Sequence, residues 1–177
     1  MAVAIAPPAT LPPLPSFSAG VKLVNHEIAP GRYLSPSGAG CSWSRLADLT
    51  GSYASFLGRS NGSSGQVVVD ILPSDVAFES EGCGAFVRYT PPPTRLVTFG
   101  DGTWMVNDQI SPGRYESTGA RTCSWQRLAD LTGTGAGYAT AGSAIAEAEV
   151  EGSVVVDILP TDVGFSASGC GTWVPKG

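Results

Sequence analysis

"CSWSRLADLTG" occupies Cys41–Gly51, and "CSWQRLADLTG" occupies Cys123–Gly133, eighty-two residues later, with Gln126 in place of Ser44. A phrase of this length repeated with one change belongs to a fold that is used twice, and the duplication spreads outward from it. "FSAGVKLVNHEIAPGRY" (Phe17–Tyr33) lies over "FGDGTWMVNDQISPGRY" (Phe99–Tyr115) at the same spacing. "VVVDILPSDVAF" from Val67 returns as "VVVDILPTDVGF" from Val154, and "GCG" at Gly82–Gly84 returns at Gly169–Gly171. The later segments are five residues further apart. The extra residues fall between Gly133 and Val154, and tolerance of an insertion marks that segment as a surface loop or short helix in both copies.

Within a copy the apolar pattern has a period of two. Val67, Val69 and Ile71 point to one face and Val68, Asp70 and Leu72 to the other, a strand almost buried on both sides that Pro73 ends. "CSW" puts Cys41 and Trp43 on one face, and "AFVRY" (Ala85–Tyr89) reads as a closing strand. "APGRY" and "SPGRY" carry the Pro-Gly signature of a type II turn. With 23 Gly and 14 Pro among 177 residues, turns are frequent and strands short. The predicted fold is all-β: two tandem small antiparallel sandwich or barrel domains over residues 17–90 and 99–177, each with its own core. Residues 91–98 form a stiff Pro-rich linker, and residues 1–16 an extended Pro-rich N-terminal arm.

Bulk properties exclude several roles. A formal charge of −5 and ten scattered Lys and Arg leave no basic stripe for nucleic acid, whose binding rests on clustered cations. No stretch reaches the roughly 20 apolar residues that span a bilayer, and the N-terminus lacks the positive start of a secretion signal. With no Cys-x-x-Cys pair and a single His, a zinc site has no local ligand set. No cofactor is expected.

Each copy has one early and one late cysteine, so repeat symmetry pairs Cys41 with Cys83 and Cys123 with Cys170. Loops of this length would stabilise a small domain by roughly 3 to 4 kcal/mol on the chain-entropy model. Four buried free thiols are the alternative.

Few residues point to chemistry. His26 beside Glu27 becomes Asp108 and Gln109 in the second copy, so the shared fold does not require the pair, and no nucleophile motif or phosphate-binding Gly loop is present. Asp48, Asp70 and Asp75 recur as Asp130, Asp157 and Asp162. A calcium site would use such carboxylates, but Asp75 is placed to cap a turn and Asp48 to pair with Arg45 three residues away. Trp43, Trp125, Tyr33 and Tyr115 suit sugar stacking, yet their recurrence beside cysteines fits core filling better. Trp104 and Trp173 replace Lys22 and Phe86, and such variable aromatics are better placed for an exposed contact. "LPPLP" in the arm has the P-x-x-P spacing without the basic residue that Pro-rich grooves read. No catalytic residue is assigned, and the expectation is a non-enzymatic protein.

"GDGTW" (Gly100–Trp104), the "V-N-x-x-I-x-P-G-R-Y" pattern, "CSWQRL" and "GCGTWVP" (Gly169–Pro175) together resemble a small disulfide-containing β-domain repeated in actinobacterial exported and lipoprotein-type proteins and in actinobacteriophage proteins. The resemblance covers Phe17–Tyr89 and Phe99–Pro175. The first copy departs from it, with "SAGVK" where the pattern has "GDGTW". The resemblance implies a structural or surface-interaction module. Two roles follow as expectations. The leading one is a bacteriophage virion component, decorating a capsid or belonging to a tail, that binds protein partners or its own copies. The alternative is a secreted or envelope-associated binding module, with a glycan as one ligand class. Interaction is expected through Val3, Ile5, Leu11 and Leu14 of the arm, through Trp104, and through the loop around Tyr138.

Overall fold

A computed structural model describes residues 16–36, 40–119, 122–134 and 142–177. Val3, Ile5, Leu11, Leu14 and Tyr138 lie outside the described residues. Among those described there is no α-helix. In the first copy the strands are β1 (Ser16–Phe17), β2 (Gly20–Leu23), β3 (Gly31–Ser35), β4 (Cys41–Leu46), β5 (Phe56–Ser63), β6 (Val67–Ile71), β7 (Ala77–Glu81) and β8 (Phe86–Arg88). The second copy has β9 (Gly102–Met105), β10 (Gly113–Ser117), β11 (Thr122–Leu128), β12 (Ala144–Glu151), β13 (Val155–Ile158), β14 (Gly164–Ser168) and β15 (Trp173–Pro175).

The first copy builds two four-stranded sheets, β1-β8-β3-β6 and β2-β7-β4-β5. The second builds β13-β10-β15 and β12-β11-β14-β9, with an antiparallel bridge from Phe99 to Trp173 where the first copy has β1 against β8. Strand order is therefore the same in both halves, and the fold is the tandem all-β one that the repeat predicts.

The segment read as a loop or short helix is instead mostly strand. After a short 3-10 turn at Tyr53–Ser55, β5 runs along β4, and β12 runs along β11. The period-two signal was present in "AIAEAEVE": Ala146, Ala148 and Val150 are half-buried while Ile145, Glu147, Glu149 and Glu151 are exposed. The pairing is the same in both copies except for a register shift between Cys41 and Trp43 that the second copy lacks.

Each sandwich has its own apolar core. In the first, Tyr33, Trp43, Val67, Val69, Ile71, Phe78 and Phe86 are buried together; in the second, Phe99, Ile110, Tyr115, Val156, Ile158, Phe165 and Trp173. Cys41–Cys83 and Cys123–Cys170 are disulfides, joining residues 42 and 47 apart in sequence, with no free cysteine among the described residues. Trp173 is fully buried in the slot that Phe86 fills in the other copy. The expectation of an exposed contact there is corrected, because the core needs a large ring at that position.

The two sandwiches also meet each other directly. A third cluster, made of Val68, Met105, Leu128 and Leu131 with Leu34, Tyr89 and Val163 against it, joins the copies. The Asp130–Gly133 turn of the second copy enters between the edge strands β5 and β6 of the first. There Asp70 N–H donates to Leu131 O (3.0 Å), Arg59 N–H to Gly133 O (3.1 Å) and Arg45 Nη1 to Thr132 O (2.8 Å). Edge strands present unpaired backbone groups, and here the neighbouring copy satisfies them. Gly58 makes room for this turn, since a Cβ there would stand 2.1 Å from Thr132 O.

Candidate functional site

The recurring polar residues all have structural work. Arg45 holds Asp75 through two bonds of 2.7 Å, with both side chains buried, and Arg127 holds Asp162 in the same way. Asp75 and Asp162 also accept the Leu72 and Leu159 backbone N–H groups, closing the turns as expected. The pairing of Asp48 with Arg45 is corrected: Asp48 accepts from the Ser55 and Thr50 hydroxyls and the Thr50 N–H. Those donors hold its carboxyl below the ordinary range, and Ser55 contributes most. Asp130 is lowered as well, the Ser143 and Thr132 donors outweighing burial, which acts upward.

Asp70 pairs with Arg32 across β6 and β3, and Asp157 with Arg114 across β13 and β10. The recurring aspartates are thus kept apart, each with its own partner. Among the described residues no three His, Cys, Asp or Glu side chains gather as a metal site would require.

His26 is exposed on a tight turn entered through Asn25 in the left-handed region (φ 66°). Glu27 accepts the Leu23 N–H at 2.8 Å, and Gln109 accepts the Met105 N–H at 2.9 Å. The two side chains serve one turn. A carbonyl-type oxygen four residues after the donor is a signal that comparison of the copies contains and that reading His26 with Glu27 as a pair obscures.

Trp43, Tyr33 and Tyr115 are buried and offer no face to a sugar, while Trp125 is half-buried and stacks on Phe165 of the second core. Tyr33 and Tyr115 hydroxyls donate to Ala29 O and Ser111 O. Trp104 is half-buried, packs against Phe99 and donates its indole N–H to Gly100 O at 2.9 Å. Most of its ring is engaged within its own domain.

What the sequence reading missed is a cleft of about 240 Å³ at the junction of the copies. Its floor is the outer face of the second copy's large sheet: Ser124 and Gln126 on β11, Ser166 and Ser168 on β14, and Glu149 on β12. Ser60, Asn61 and Ser64 of the first copy form the opposing wall. Alternation places these residues outward, opposite the core-facing Trp125, Phe165 and Ala167. Hydroxyls and amides dominate the lining, which has one carboxylate and no cation or aromatic ring. A neutral, hydroxyl-rich ligand fits such a surface through hydrogen bonds. No local signal in one copy could reveal it, because two copies build it.

Duplicated sandwiches, each stapled once and sharing a buried seam, define a tandem β-module whose polar residues mainly support the fold. The chain belongs to the family described as Rv1352-like extracellular domain, whose model matches twice, over residues 15–87 and 97–174. No curated protein and no solved structure matches the chain. The family description fits the secreted or envelope-associated alternative better than the virion reading, which gains no support from it.

Proposed function

We propose that the protein is an exported, non-catalytic binding module of the actinobacterial cell surface, and that the junction cleft takes a neutral carbohydrate. The observation that carries this reading is the cleft lining: five serine hydroxyls, two carboxamides and Glu149 converge on one space. Carbohydrate hydroxyls donate and accept in the pattern such groups match. Glu149 and the absence of a lining cation disfavour an anionic ligand. Catalysis has little to work with there, since a serine nucleophile needs a base to activate it and the lining contains no His.

The test is titration of the isotope-labelled full chain with a panel of neutral oligosaccharides, followed by NMR. Shifts confined to Ser124, Gln126, Ser166 and their neighbours are expected for at least one glycan. They should disappear in Ser166→Tyr, which fills the cleft from an outward-facing position. The reading fails if no glycan perturbs these residues, or if binding survives that substitution.

A further inference from the structure

The two copies join asymmetrically. One copy inserts its Asp-Leu-Thr-Gly turn, and the other receives it. The inserting face comprises Met105, Leu128, Leu131 and Val163. Its counterpart in the first copy comprises Leu23, Leu46, Leu49 and Val76. Leu131 is fully buried, whereas Leu49 is 60% exposed and Val76 42% exposed.

The unused turn is already in the inserting shape. Thr50 N–H donates to Asp48 at 2.9 Å and Thr132 N–H to Asp130 at 2.8 Å. Gly51 has φ 71° and Gly133 φ 69°. The carbonyls of Leu131, Thr132 and Gly133 each accept a bond from the first copy. Those of Leu49, Thr50 and Gly51 accept none among the described residues. A preformed turn with three open acceptors beside an exposed leucine has little ordering cost left on docking.

We propose that the Asp48–Gly51 turn is a docking plug for another domain of this fold, one presenting the same kind of socket as the first copy. The partner is defined by what receives Leu131 here. It needs apolar residues equivalent to Leu34, Val68 and Tyr89, an arginine equivalent to Arg45, and a glycine at the Gly58 position.

A second molecule of this chain does not supply that socket. Its first socket is filled internally, and its second socket is altered at three points. Glu116 and Lys176, paired at 2.9 Å, stand where Leu34 and Tyr89 stand in the first copy. Ala146 occupies the Gly58 position, as the shared pairing with Arg127 and Arg45 shows. Its Cβ lies where the incoming carbonyl must pass, given the 2.1 Å separation found for a Cβ at Gly58. The partner is therefore a socket-bearing domain in a different chain.

The experiment rebuilds the socket in the full chain. Wild type is expected to sediment with the mass of one chain. The variant A146G/E116L/K176Y, altered at the second socket only, should assemble to masses of two chains and above that rise with concentration. Adding L49D to it should restore the single-chain mass. A second route leaves the native socket unaltered: L131D expels the internal plug, and the freed first socket should then capture Leu49 of another molecule, again reversed by L49D. The proposal is overturned if both variants keep the single-chain mass, or if their assembly survives L49D. Wild-type assembly through Leu49 would overturn the assignment of the partner to a different chain.

Discussion

Arg45 and Asp75 form the most deeply buried ion pair of the molecule among the described residues, while Arg114 and Asp157 carry the same chemistry at the surface, with side chains 57% and 54% exposed. Burial decides what each is worth. Removing one member of a buried pair strands the other in a low dielectric, so Asp75→Asn should lower unfolding free energy by about 3 to 5 kcal/mol. Asp157→Asn should cost less than about 1 kcal/mol, because an exposed pair is screened. Urea denaturation of the two variants checks the contrast. The sequence placed Arg45 and Asp75 in equivalent positions of both copies but offered Asp48 as the nearer partner. Three residues of separation mattered less than strand geometry, which turns Arg45 inward and Asp48 into its own turn. Asp130, whose carboxyl is held below the ordinary range, contributes stability that is present above about pH 4 and is lost as pH falls below that value. Asp130→Asn should therefore flatten the acid side of the stability profile.

Strand β6 shows how far local pattern reading reaches. "VVVDI" announces a strand buried on both sides, and Val67, Val68 and Val69 are all fully or nearly fully buried. The identical "VVVDI" of the second copy leaves Val155 40% exposed. Sequence periodicity identifies the strand; only the neighbouring copy decides whether its outer face is covered. Leu131→Ala, which hollows the cluster over Val68, should destabilise by about 2 to 5 kcal/mol, whereas Leu49→Ala at the equivalent exposed site should be close to neutral. Thermal melts of both variants measure the difference. Tyr89 lies on the same seam, and burial, reinforced by Asp108, pushes its hydroxyl up to about 12. The neutral phenol is thus favoured in the folded state. Its contribution is complete below the ordinary tyrosine value near pH 10 and fades as pH rises towards 12. Tyr89→Phe should remove that alkaline loss, as followed by fluorescence between those limits.

Duplication, antiparallel strands and cysteine pairing were all legible along the chain, because each is a matter of spacing. The cleft was not, because two copies build it, nor was the seam, which depends on differences between the copies: Leu34 against Glu116, Gly58 against Ala146, Tyr89 against Lys176. Aligning repeats emphasises what they share and passes over such positions. Each disulfide closes a loop of more than forty residues, and on the chain-entropy model its reduction should remove about 4 kcal/mol. Calorimetry with and without reductant tests this, and the shared seam predicts that the two halves lose stability together. The seam also bears on how such a chain could arise. A domain whose turn fits its own sandwich edge is joined head to tail, and a contact of that type repeats without end unless something stops it. Two unmodified copies in one gene would be a fibre subunit. Ala146, Glu116 and Lys176 close the second copy to a further copy of this chain, so three side chains stop the molecule from polymerising with itself and leave its one open turn for a different partner.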